Sequence, residues 1–269
     1  MLVDAQVHLW STHDPARGPT HLAVPPTVAD TLAALDSAGV DRAVLVPPSW
    51  EGDRNDVVLA AARQHPDRFA VMGRIPLPDP LSARLLPSWR ESGMLGVRVT
   101  LHREPWLGAF DRGELAWFWA ALEAADLPVM VYAPGRSLVP VAREHPDLRL
   151  IVDHLALPVE KSAPEVFDDL PDLLALAAFP RVSVKATALP CHSREPYPFR
   201  DLHVALRLVV DAFGPDRVFW GSDRTRLPCS YVDGLSYLAE ALPHLDDRDL
   251  GRITGGAVLD ALGWNLWIS

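Results

Sequence analysis

The sequence predicts a (β/α)8 barrel, an α/β fold in a single domain over residues 1–269, and three observations carry that expectation. Short apolar, β-branched runs alternate with helix-like stretches along the whole chain, the rhythm of parallel strands joined by crossover helices. Several runs are apolar throughout rather than alternating with polar residues, as a parallel sheet covered on both faces requires. At 269 residues and 49% hydrophobic content, the chain can close one barrel and its shell of helices. An open doubly wound sheet shares the alternation, but no glycine-rich phosphate turn follows an early strand.

The first strand is expected over residues 2–10, with Gln6 and His8 on one side of it by the period of two. A long loop, 11–26, carries several prolines and two histidines and is expected to shape the pocket. Thr27 caps a first helix over Val28–Ser37, stopped at Gly39. Strand two is 43–46, its exit loop 47–55, and a second helix follows over Asp56–Gln64. Strand three is 69–75, then a helix over 81–91 and strand four at 95–101. A helix at 113–125 leads to strand five at 128–132, and a helix at 138–144 leads to strand six at 148–154. A helix at 164–178 precedes strand seven at 182–186, and one at 200–213 precedes strand eight at 217–223. Helices at 232–242 and 246–262 complete the chain.

Charge and cysteine content bound the partners. A formal charge of −10 without a Lys/Arg stripe argues against nucleic acid. The apolar runs are far short of a membrane span and the N-terminus carries no signal pattern, so a cytoplasmic protein is expected. Cys191 and Cys229 match no metal or redox spacing and are expected reduced. The supply of tryptophan is compatible with a homodimer.

In such barrels the chemistry gathers at the C-terminal ends of the strands. Gln6, His8, Arg98, Tyr132, His154, Lys185 and Asp223 are polar groups in or ending apolar runs, where burial without a partner is expensive. Asp223 can accept a proton from water, and His154 can polarise a carbonyl or shuttle that proton. Arg98 and Lys185 suit a carboxylate or a developing oxyanion, and Tyr132 can donate a hydrogen bond. The catalytic set is thus Asp223, His154 and Lys185. Gln6, His8, Trp50, Arg98, Tyr132 and Arg224 are assigned to the substrate, with His102, Arg103 and Arg226 as further candidates just past strand ends. Asp4 and Asp153 are expected to cap or salt-bridge within the wall. Hydrolysis of an activated carbonyl is the economical reading.

The stretches 4–10, 96–98, 152–154, 184–185 and 220–223 resemble the amidohydrolase-2 branch of the amidohydrolase superfamily, in order and over essentially the whole chain. The resemblance implies a (β/α)8 barrel. The branch includes lactonases acting on sugar lactones of the fuconolactone type and on 2-pyrone-4,6-dicarboxylate, together with metal-dependent decarboxylases. Its metal site usually takes a His-x-His pair from strand one and a further His from strand five. Here Gln6 and Tyr132 stand at those positions, and an amide and a phenol are poor ligands for a zinc-like ion. No cofactor is therefore expected; were a single divalent metal such as zinc held, His8, His154 and Asp223 would hold it. By likeness to the metal-free pyrone lactonase, Asp223 activates water, His154 and Arg98 stabilise the oxyanion, and Tyr132 orients a small acidic lactone. A metal-dependent decarboxylase or hydrolase, and a non-hydrolytic cyclase, isomerase or small-molecule binder, are the alternatives.

Overall fold

The structure, a computed structural model, describes residues 1–11 and 24–264. Eight parallel strands stand in sequence order: β1 (Val3–Val7), β2 (Arg42–Leu45), β3 (Phe69–Gly73), β4 (Gly96–Thr100), β5 (Val129–Tyr132), β6 (Leu150–Val152), β7 (Val182–Thr187) and β8 (Val218–Gly221). The (β/α)8 barrel is therefore the fold. The expected pocket-shaping loop lies mostly outside the described residues.

The barrel closes where β8 meets β1, largely through side-chain chemistry. The Asp223 N–H donates to the Gln6 carbonyl at 3.1 Å. The buried Asp4 carboxylate accepts from the Ser222 N–H and hydroxyl at 2.9 and 2.5 Å, the Gln6 N–H at 2.9 Å and the Tyr231 hydroxyl at 2.5 Å. Asp4 is thus the wall group the sequence suggests. Gly221 permits this approach: a Cβ there would stand 2.6 Å from Thr187 Cγ2 and 3.0 Å from the Gln6 nitrogen.

Side chains alternate between two apolar layers. Val44, Val46, Ala70, Met72, Met130, Ile151 and Phe219 pack together inside the barrel. Their neighbours Ala43, Leu45, Val71, Val97, Val131 and Val184 pack outward under the helices. The register of β1 slips between Asp4 and Val7. Strict alternation fails there, so Val3 and Ala5 join the inner layer while Gln6 and His8 still reach the interior cavity.

The helical shell follows the expected order with local corrections. Helix α1 (Val28–Ser37) carries the Thr27 cap as a full capping box with Asp30. Helix α2 (Asp56–Gln64) is as expected. The stretch 81–91 forms a 3-10 helix, Pro80–Ser88, because Pro87 lacks the N–H an α-helix needs. The stretch 113–125 starts later than expected: Gly113 at φ 74° separates the short α3 (Trp106–Asp111) from α4 (Ala116–Ala124). Helix α5 (Gly135–Glu144) starts one turn early. The stretch 164–178 breaks into short 3-10 turns around α6 (Leu170–Ala175).

Helices α7 (His203–Phe213) and α8 (Tyr231–Ala241) follow. The last stretch divides into α9 (Asp247–Gly251) and α10 (Ala257–Leu262), with a π-turn between them. In that turn Gly255 lets the Met1 carbonyl approach to 2.4 Å of where a Cβ would be. Ala257, Val258 and Leu262 of α10 then join the barrel's inner apolar layer. No helix among the described residues is long and apolar enough to cross a membrane.

Candidate active site

A cavity of about 380 Å³ opens at the C-terminal ends of the strands. It brings together most of the residues singled out in the sequence: Gln6 and His8 from β1, Arg98 from β4, Tyr132 from β5, then His154, Asp223 and Trp50. Trp50 sits on a 3-10 turn after β2, its ring tilted 6.2 Å from the His8 ring and edge-on to Trp10 at 5.6 Å.

Two of the central side chains are aimed by unusual backbone. Strand β6 stops at Val152, and His154, Leu155 and Ala156 all adopt left-handed φ values of 53°, 53° and 57°. Asp223, just past β8, has φ 41°. Left-handed backbone costs a non-glycine residue about 1–2 kcal/mol, and such strain persists where surrounding contacts over-determine it.

The carboxylate lies among imidazoles. Asp223 Oδ1 accepts from the Thr225 hydroxyl at 2.5 Å and stands 3.4 Å from His8 Nε2, while Oδ2 is 3.8 Å from His154 Nε2. Burial alone would push the Asp223 carboxyl up; His8, His154, Arg226 and the Thr225 bond outweigh it and hold it below its ordinary value. Burial pushes both His8 and His154 below the ordinary imidazole value, so both are neutral at neutral pH. His8 Nδ1 lies 2.6 Å from the Val46 carbonyl and His154 Nδ1 2.6 Å from Thr187 Oγ1.

Three expectations need correction. Lys185, expected to touch the reacting groups, lies beneath the cavity floor: it is fully buried, pairs with Asp153 Oδ1 at 2.9 Å and donates to Gln6 Oε1. Asp153, held in the wall as expected, also receives Arg98 Nε at 3.1 Å. Arg224 is not among the cavity's lining residues; its guanidinium lies over the Tyr231 ring, 5.6 Å from the centroid. Arg226 lines the cavity instead, because the left-handed turn at Asp223 redirects the chain and the Arg226 N–H closes onto the Asp223 carbonyl at 2.8 Å. Tyr132 lines the wall, but its hydroxyl proton goes to the Leu157 carbonyl at 2.6 Å rather than into the cavity. Burial pushes that phenol up to about 12.

The donor set at the cavity floor does not fit a metal ion. The Gln6 amide nitrogen lies 3.3 Å from His8 Nε2 and 3.4 Å from His154 Nε2, between the two imidazoles that a metal would need. Its oxygen is turned down onto the Lys185 ammonium. An N–H donor at that point is not a ligand. Among the described residues, no group of three His, Cys, Asp or Glu side chains is arranged to hold a metal.

A family model described as amidohydrolase matches residues 3–256. The chain belongs to the amidohydrolase family. Among curated proteins, this amidohydrolase is similar to a 4-sulfomuconolactone hydrolase of Rhizobium radiobacter, 27% identical over 229 residues, covering 80% of this chain and 74% of the relative. Among solved structures, a zinc-bound amidohydrolase of Burkholderia multivorans superposes with a TM-score of 0.84 at 22% identity, covering 98% of this chain and 99% of that one. A probable 2-pyrone-4,6-dicarboxylic acid hydrolase of Acinetobacter baumannii, with citric acid bound, gives 0.78 at 21% identity over 97% and 99% of the two chains. These structural likenesses show the shared barrel; the protein is an enzyme of this family.

Several lining residues had weak or no sequence signal. Thr100 follows Arg98 by two on β4 and His102 follows Thr100 by two, so the period of two that flagged Gln6 and His8 would have found the stripe. Burial and the nearby Arg103, Arg98 and Arg226 charges lower His102 to about 4. Cys191 lies against Arg226, whose guanidinium donates to its sulfur at 3.3 Å, a contact between distant loops.

Proposed function

We propose that this amidohydrolase opens a lactone, or a similarly activated cyclic ester, of a small acidic molecule, using water activated by Asp223 and no metal. One observation carries the reading: Asp223 stays ionised with Oδ2 free of hydrogen bonds among the described residues, in a cavity also lined by Arg98 and Arg226. The Arg98 Nε is engaged by Asp153, and its terminal nitrogens have no hydrogen-bond partner among the described residues. The activity of the Rhizobium radiobacter relative, hydrolysis of a lactone, supports the same class.

In this reading Asp223 Oδ2 takes a proton from water as the water oxygen bonds to the lactone carbonyl carbon. The charge that develops on the carbonyl oxygen faces the Arg98 and Arg226 guanidiniums. The Asp223 proton passes to neutral His154 at Nε2, and from there to the ring oxygen as the carbon–oxygen bond breaks. His154 thus serves as the proton shuttle, the first of its two roles being left to the arginines. An ester carbonyl of this kind needs less Lewis-acid help than an amide. The substrate is small and anionic.

The test is a panel of lactones followed by pH-stat titration, with metal content by mass spectrometry and activity before and after chelation. Acid release that is indifferent to chelator, at less than about a tenth of an equivalent of metal, supports the reading. Carbon dioxide release from an aromatic acid, or loss of activity on chelation, overturns it in favour of a metal-dependent decarboxylase or hydrolase.

A further inference from the structure

The Gln6 side chain is engaged at both its oxygen and its nitrogen inside the barrel. Its oxygen accepts from the Lys185 ammonium. An ammonium has only protons to offer, so the amide oxygen must face it and the NH2 group must face the other way. That NH2 lies 3.3 Å from His8 Nε2 and 3.4 Å from His154 Nε2. Two N–H groups can serve two imidazole nitrogens only if both nitrogens carry lone pairs.

The opposite ring nitrogen of His8 independently requires the same form, and that of His154 accommodates it. The Val46 carbonyl can only accept, so the proton of His8 sits on Nδ1. Thr187 Oγ1 can accept from His154 Nδ1 in the same way. Lys185 is itself held by Asp153, and Asp153 by Arg98. The amide is thereby clamped from β4, β6 and β7: rotating it would set its NH2 against an ammonium.

We propose that Gln6 is a positioning residue that locks His8 and His154 as neutral Nδ1–H tautomers, with both Nε2 lone pairs directed at the amide. Two consequences follow at the reacting groups. Neither imidazole donates a hydrogen bond to Asp223, although their Nε2 atoms stand only 3.4 and 3.8 Å from its oxygens, so Oδ2 is left open to a water. His154 also meets the reaction with Nε2 empty, as a proton acceptor must. This catalytic consequence rests on the proposed hydrolysis; the tautomer assignment does not.

The test reads tautomers directly, by two-bond 1H–15N correlation spectra of the histidine rings at neutral pH. The His8 and His154 signals are assigned by their loss in His8→Asn and His154→Asn. The expected spectrum shows protonated Nδ1 and unprotonated Nε2 for both rings. In Gln6→Glu, a carboxylate that only accepts replaces the amide, so at least one ring gains a proton on Nε2. In that variant kcat falls by about tenfold or more. A protonated Nε2 on either ring of the native protein overturns the proposal, and that measurement stands even if Gln6→Glu fails to fold. The expected tautomers in a protein that opens no lactone would refute the proposed reaction and leave the tautomer lock intact.

Discussion

Replacing Lys185 with methionine keeps the aliphatic stem and deletes the ammonium. Lys185 and Asp153 are both fully buried and 2.9 Å apart. Without the ammonium, Asp153 retains, among the described residues, only the Arg98 Nε bond at 3.1 Å, and Gln6 Oε1 loses its Lys185 donor. Breaking a buried ion pair from one side costs about 3–5 kcal/mol. The stranded Gln6 acceptor accounts for about 1–3 kcal/mol of that. Urea unfolding followed by tryptophan fluorescence should therefore show a lower midpoint at unchanged slope, equivalent to about 3–5 kcal/mol.

The pH dependence of that loss is a second check. The Lys185 and Arg98 charges overcome burial and hold Asp153 below its ordinary value of 3.8. A carboxyl depressed in the folded state contributes stability above its unfolded value and loses it as pH falls through the folded one. The gap between native protein and variant should therefore be full above 3.8 and narrow below it. A loss under about 1 kcal/mol at neutral pH would refute the structural reading of Lys185. Loss of turnover with unchanged stability would restore its expected catalytic role.

Asp223→Asn should lower kcat by about 10²–10⁴-fold with the cooperative unfolding transition retained, since it removes the proton acceptor and little packing; near-normal turnover would dismiss Asp223 as the base. Arg226→Met should lower kcat/KM for an anionic lactone by about tenfold or more, the worth of one hydrogen bond to a charged group, with kcat falling as well because the guanidinium faces the developing oxyanion. Equal kcat/KM for native and variant would remove Arg226 from the reaction. His102, lowered to about 4 from 6.5, refuses a proton that the unfolded chain accepts, so its contribution is complete above 6.5 and is lost as pH falls toward 4. His102→Gln should flatten the fall of the urea midpoint across that window; an unchanged slope would show that the ring is not kept neutral by the fold.

What the sequence showed and what it hid separate along one physical line: the face a side chain takes is local, and the depth at which it sits is not. Apolar runs identified all eight strands, and the period of two put Gln6 and His8 on one side, because both properties depend on neighbours within a few residues. Arg224 was misplaced because Asp223 enters left-handed backbone, which resets the alternation, and an aspartate in that conformation leaves no mark in the sequence. The left-handed run His154–Ala156 likewise shortens β6 at a point where no glycine announces it.

The depth of Lys185 is hidden for a different reason. Its inward face follows from the period of two. Its register partner on β8, however, is Phe219 of the inner apolar layer, whereas Thr187, opposite Gly221, marks the level of the mouth. Arg98 is also two residues short of its strand end, yet it lines the cavity while its Nε binds Asp153. Which of the two cations reaches the substrate is decided by the stagger of neighbouring strands. That stagger is set by closure of the barrel, and here closure runs through Asp4 and Ser222, residues 218 positions apart.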